Sequence, residues 1–310
     1  MKNIIKKERV GNIMVYHIDK IISNEKMDKL KGKKITPAMI HTIIDRDSDV
    51  YTADGKLLLK FRKDKLTMKN INLFYENVID FAKHTSSNRG ATSGSKKYDI
   101  IKNPKIMTNI LGYFDIWGPS QKRAFKDRNI KLPLEVRETK FTSEFPENHK
   151  NIIPLIQNID TLYKKYAPSY YEKQRKKANQ TAFKIPNTAF TTITTNINFQ
   201  TAIHKDVGDD IEGFGNLVVI EHGGEYTGAE TCFPQYGIGV NVRTGDILFM
   251  DVHEWHANLP MIVTDSLSSE KTIRLSIVCY LRHNVWNRSK GKTKKYMLRH
   301  NKTIKKILND

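Results

Sequence analysis

Two rhythms of apolar residues divide the chain. In "MKNINLFYENVIDFAKHT", Ile71, Phe74, Val78 and Phe81 recur at three- and four-residue steps, which predicts an amphipathic helix with one face on a core. The same rhythm returns over residues 150–178. There Ile152, Ile156, Ile159 and Tyr163 share a face, Pro168 breaks the run, and "YYEKQRKKANQ" beyond it is basic and polar. From about residue 188 the texture changes. "AFTTITTNINF", "NLVVIEH", "IGVNVRTGDILFMDV" and "IRLSIVCYL" are rich in β-formers and are split by Gly, Asp and Pro turns. Short strands in succession without intervening helices predict a sandwich or jelly roll. The fold class is therefore α+β, with helices first and a β core later.

Residues 1–66 read as a small β-rich N-terminal extension. "NIMVYHI" is a strand, and "VYTADGKLLLKF" is a hairpin with a tight type I′ turn at Asp54-Gly55. "SSNRGATSGSKK" reads as a loop, and "IMTNILGYFDIWG" and "LPLEVRETKFT" as strand or loop segments. The expected division is an extension over 1–66, a main domain over 67–283 with its β core from about 188, and a basic tail over 284–310.

With 39% hydrophobic and 27% charged residues, the composition is that of a folded globular chain and excludes a disordered one. No run of about 18 apolar residues predicts a membrane span, and the first twenty residues lack the pattern of a signal peptide. Cys232 and Cys279 are too few for a disulfide framework and have no CxxC spacing. They read as buried thiols of a protein in a reducing intracellular compartment. The net charge of +19 points to a polyanionic partner, nucleic acid above all; the competing explanation is lysine used as a default surface residue. Lys173, Arg175, Lys176 and Lys177, and the ten Lys or Arg between Arg282 and Lys306, are the groups expected to grip phosphates. No obligate protein partner is inferred.

"TAIHKDVGDD" carries the candidate chemistry. In a strand, residues i and i+2 share a face, so His204 and Asp206 present an imidazole and a carboxylate side by side. A third ligand must come from a distant strand. "GDILFMDVHEWHAN" offers two, His253 and His256. Two histidines and a carboxylate on one face of an octahedron leave positions open, an arrangement suited to non-haem Fe(II). Arg274 lies in the apolar run "KTIRLSIVCYL" and suits a bidentate fork for a buried carboxylate.

HxD, a histidine about fifty residues on and an arginine about eighteen later resemble the Fe(II)/2-oxoglutarate-dependent dioxygenases, whose fold is a double-stranded β-helix, or jelly roll. "FTTITTNINFQTAIHKDVGD", "RLSIVCYLR" and the upstream "NILGYFDI" and "VRETKFTSEF" look like the TET/JBP branch, over roughly residues 86–283. The resemblance implies a jelly-roll core with supporting helices packed on one side. It implies Fe(II), 2-oxoglutarate and O₂, and hydroxylation of the methyl group of 5-methylcytosine or thymine in nucleic acid, DNA before RNA. Carried over, the metal ligands are His204, Asp206 and His256, because "WHAN" matches the family's distal histidine; His253 is the alternative. Arg274 binds the distal carboxylate of 2-oxoglutarate, Asn196 hydrogen-bonds the cosubstrate, and Arg137 lines the substrate cleft. Two other readings remain open: a 2-oxoglutarate-dependent hydroxylase of a protein side chain or small molecule, and a basic binding module whose HxD is accidental.

Overall fold

The computed structural model describes residues 4–86, 90–94, 106–130, 136–264 and 271–309. Much of the Ser/Gly-rich stretch expected as a loop, and the first four residues of "LPLEVRETKFT", lie outside the described residues. The first half of the chain runs β1 (Ile4–Val10), β2 (Ile13–Ile18), α1 (Asn24–Leu30), β3 (Thr42–Ile44), β4 (Ser48–Thr52), β5 (Leu57–Arg62), α2 (Met68–Ala82), β6 (Met107–Phe114), α3 (Pro119–Asp127), β7 (Arg137–Glu138), α4 (Lys140–Glu144), α5 (Pro146–Tyr166) and α6 (Pro168–Ala178). Then come β8 (Thr192–Ile197), β9 (Gly215–His222), β10 (Tyr226–Gly228), β11 (Thr231–Phe233), β12 (Ile238–Val240), β13 (Ile247–Met250), β14 (Ala257–Asn258), β15 (Met261–Val263), β16 (Ile273–Tyr280), α7 (His283–Ser289) and α8 (Lys294–Asn309).

Two sheets face each other. The larger has the order β1-β2-β4-β5-β13-β9-β16-β8-β6-β7, and the smaller the order β14-β11-β12-β3. At the centre of the larger sheet β13, β9, β16 and β8 pair antiparallel, although the chain visits them in the order β8, β9, β13, β16. Strands that alternate between two facing sheets in this way make a jelly roll. The period of two explains how both faces of the larger sheet are buried. Leu217, Val219, Leu248 and Met250 point between the sheets with Phe233, Ile238 and Val240. Val218, Ile220, Ile247 and Phe249 point the other way, onto Ile71, Phe74 and Val78 of α2 and Ile152, Ile156, Ile159 and Tyr163 of α5. The helices thus cover one side of the sheet with the residues that the helical period marks, and both cysteines are buried.

Three expectations change. The N-terminal strands are not a separate extension: β5 pairs with β13 and β3 with β12, so residues before 66 complete both sheets. The Asp54-Gly55 hairpin exists, but of the two residues only Gly55 has a positive φ, at 81°. A type I′ turn needs both in that region, so the connection is the longer loop with a left-handed glycine. The basic tail is two docked helices. Val285 and Met297 pack on Tyr113, Val136 and Phe183, and Ile304 packs on Trp117 and Phe125.

Candidate active site

His204 and His256 are placed by one backbone contact. Each donates its backbone N–H to the other's carbonyl at 3.0 Å, and Asp206 N–H donates to the Val252 carbonyl at 2.9 Å. Residues that exchange both hydrogen bonds stand directly opposite in an antiparallel ladder, so their side chains emerge on one face. The imidazole centroids are 4.2 Å apart. Asp206 reaches between them, with Oδ1 3.6 Å from His204 Nε2 and Oδ2 3.6 Å from His256 Nε2. Candidate ligand atoms of the three residues all lie within 4.8 Å of one another.

The ring nitrogens facing away are already engaged. His204 Nδ1 lies 2.7 Å from the Ala202 carbonyl oxygen and His256 Nδ1 lies 2.9 Å from that of Glu254. A carbonyl accepts only, so each Nδ1 carries the hydrogen and each Nε2 lone pair turns toward Asp206, the arrangement a metal-binding histidine needs. Burial disfavours charge on His256, yet the Asp206 carboxylate outweighs it and holds the ring's pKa above its usual value. Two imidazole nitrogens and a carboxylate form a donor set that fits a divalent transition metal. His253 stands apart: its Nε2 lies 3.4 Å from the Asp210 carbonyl oxygen, and it is not among the three clustered residues.

The cluster opens into a cavity of about 870 Å³ lined by both sheets. Asn196 on β8 and Ser276 and Tyr280 on β16 line it. Arg274, two residues before Ser276, is buried on the same strand, directly opposite Glu221 of β9. Its backbone is fixed by Asn198, whose side-chain oxygen accepts from Arg274 N–H at 2.7 Å. Burial pushes the Arg274 pKa down, although Tyr226 and Glu221 favour its charge. Nη2 of Arg274 and the Tyr226 hydroxyl are nevertheless buried without a hydrogen bond of good geometry, as is Oδ1 of Asn196, whose Nδ2 donates to Ser276 Oγ at 3.3 Å. Buried polar groups left in this state cost about 1–3 kcal/mol each. A carboxylate ligand seated beside Arg274 would satisfy the guanidinium and the hydroxyl together, so the residues fit an acidic cosubstrate.

Sequence reasoning missed much of the cavity wall. Arg282 Nε donates to Asp115 Oδ1 at 2.7 Å, and Asn284 Nδ2 donates to Asp115 Oδ2 at 3.0 Å. Burial raises the Asp115 pKa, but these two donors outweigh it and hold the carboxyl below its usual range. Asp209, buried beside them, is pushed well up by burial and then by the charge of Asp206. Ser276 and Tyr280 were legible only as the alternate positions of a strand already marked by Arg274. Arg137 does not line this cavity. Its Nε donates to the Ile116 carbonyl at 2.8 Å, and its guanidinium packs on Phe114 and Trp117, so it lies behind the wall. On α6, Lys173 and Lys176 are exposed and Arg175 is half-buried, while Lys177 is bridged to Asp210 and Glu212.

A family model for Tet_JBP, the oxygenase domain of the 2OGFeDO superfamily, matches residues 125–283. Among curated relatives, thymine dioxygenase JBP1 of Trypanosoma brucei brucei is 31% identical over 56% of this chain and 19% of its own length. The bifunctional helicase and thymine dioxygenase JBP2 of Trypanosoma cruzi is 32% identical over 67% of this chain and 17% of its own length. The chain thus spans less than a fifth of these relatives. The solved structure of NgTET1 in complex with 5mC DNA superposes with a TM-score of 0.52 at 14% identity, covering 90% of this chain and 98% of that one, which shows a shared fold. With the model covering half of its length, the chain belongs to the Tet/JBP family of 2OGFeDO oxygenase domains.

Proposed function

We propose that the protein is an Fe(II)/2-oxoglutarate-dependent dioxygenase that hydroxylates the methyl group of a 5-methylpyrimidine in DNA. The observation that carries this reading is the His204–Asp206–His256 cluster opening into the same cavity as Asn196 and Ser276, with Arg274 buried beside them. In it, the three clustered side chains hold the iron. When bound, iron and 2-oxoglutarate supply the O₂-dependent oxidation of a C–H bond. Arg274 and Tyr226 hold the far carboxylate of the cosubstrate, and Asn196 and Ser276 orient it across the cavity. A base in a duplex cannot reach such a floor, so it enters flipped out of the stack. The relatives named thymine dioxygenases make thymine the first base to test.

The test is nucleoside mass spectrometry of DNA containing thymine or 5-methylcytosine after incubation with the protein, Fe(II), 2-oxoglutarate and O₂. A hydroxymethylated base formed together with succinate is the expected result. Succinate without base oxidation would move the reading to a protein or small-molecule hydroxylase. Arg274→Lys replaces a planar fork with a point charge. It should raise the KM for 2-oxoglutarate at least about tenfold while metal binding stays unchanged. An unchanged KM would remove Arg274 from its role.

A further inference from the structure

The mouth of the cavity carries two exposed apolar side chains. Val207, the residue after Asp206, lines the cavity and is 88% exposed; Ile116, just beyond β6, lines it and is 51% exposed. Scattered exposed aliphatic residues are ordinary on protein surfaces, so exposure alone assigns nothing. The difference here is that both line the cavity of the candidate metal site, and hydrogen bonds fix the backbone around each.

Val207 sits between anchored neighbours. Asp206 N–H donates to the Val252 carbonyl at 2.9 Å, His283 N–H to the Gly208 carbonyl at 3.0 Å, and Asp210 N–H to the Leu281 carbonyl at 2.9 Å. A Cβ at position 208 would overlap the Arg282 guanidinium, so glycine lets that group lie against the loop. Ile116 is braced from behind by the Arg137 guanidinium, which binds its carbonyl and packs on Phe114 and Trp117. An apolar side chain pointed into water by a fixed backbone cannot bury itself by local rearrangement. It needs an apolar surface brought to it.

We propose that Val207 and Ile116 form an apolar wedge that occupies the step vacated when the target base leaves a duplex. This rests on the reading of the cavity as a methylpyrimidine site in DNA. A flipped base leaves a gap bounded by the faces of its neighbours. Proteins that open base steps commonly fill them with aliphatic side chains. Here the wedge stands at the entrance through which the base must pass, so filling the gap and seating the base become one motion. A single strand has no base pair to break and no duplex step to hold open, so the wedge matters chiefly for duplex DNA.

The experiment compares Val207→Ser, Ile116→Ser, the double variant and the conservative Val207→Ile with the wild type. One oligonucleotide is used, single-stranded and as a duplex, with 2-aminopurine beside the target base to report unstacking. Turnover of 2-oxoglutarate without DNA is measured in parallel. Each serine variant should lose about tenfold in duplex kcat/KM and much of the fluorescence rise. Single-strand activity and DNA-free turnover should stay at wild-type level, and Val207→Ile should retain duplex activity. Equal losses on both substrates, or undiminished duplex activity, would overturn the wedge and leave the base-oxidising reading standing. A wild type that oxidises neither substrate overturns both.

Discussion

His204 and His256 hold one another by backbone, so truncating either imidazole leaves the pairing intact and removes only a ligand. His204→Ala, Asp206→Ala and His256→Ala should therefore each abolish Fe(II) or Co(II) binding by titration calorimetry, and succinate formation with it, while circular dichroism stays unchanged. His253→Ala deletes only a long contact to the Asp210 carbonyl and should cost under about 1 kcal/mol of stability with metal binding retained. Full metal binding by His256→Ala would refute the assignment. HxD was legible as a motif, but the strand expected to carry it is not there: His204 is an isolated bridge opposite His256, and Asp206 follows in the loop between β8 and β9. The choice between His253 and His256 was not legible from periodicity, because it depends on which residue stands opposite His204, a matter of register between segments some fifty residues apart. Asp115, Asn284 and Tyr226 were invisible for the same reason: each is an ordinary polar residue until the fold sets it beside a partner.

At the scale of elements, helices and strands with a clear period were readable, and elements masked by charge were not. α8 buries Met297, His300, Asn301 and Ile304 at helical spacing, but Arg299 and Lys302 between them and the lysines on either side make the segment read as a solvated tail. Truncation after His283 should thus strip the cover from Tyr113, Phe183, Trp117 and Phe125. With roughly 1.5–3 kcal/mol for each large buried side chain lost, the truncated chain should melt well below the full one. A melting temperature within 2 °C of the intact protein's, as a rough bound for a loss well under 1 kcal/mol, would refute this. α5 holds a second element-scale liability. Burial alone pushes His149 down to about 4, and its Nε2 is buried without a partner. Because the folded pKa lies below the usual 6.5, this residue's contribution is complete above that value and is lost as pH falls toward 4. Urea titrations across that window should show stability falling, and His149→Phe should flatten the fall; an equal slope in the variant would place the sensitivity elsewhere.

Over the whole molecule, the net charge of +19 sets a field that favours a polyanion, but the charges differ in what they are free to do. The loop that carries Asp206 and the rim residue Val207 continues to Asp210 and Glu212, and there it meets α6. Lys177 is bridged to both acids, its ammonium also 5.2 Å from the centre of the Trp286 ring. Removing it would leave the buried Asp210 carboxylate without that ion pair, and breaking one side of a buried pair costs about 3–5 kcal/mol. Lys176, one residue earlier, is exposed. The two neighbours should therefore behave as opposites. Lys177→Ala should lower the melting temperature. Lys176→Ala should leave stability alone and weaken DNA binding equally across sequences, reducing the slope of log affinity against log salt by about one phosphate contact. Fluorescence anisotropy with a labelled duplex across a salt series, run beside thermal melts, separates the two. If Lys176→Ala leaves the salt slope unchanged, phosphates do not cross this face of α6, and the field acts through exposed lysines elsewhere, those of α3 and α8 among them.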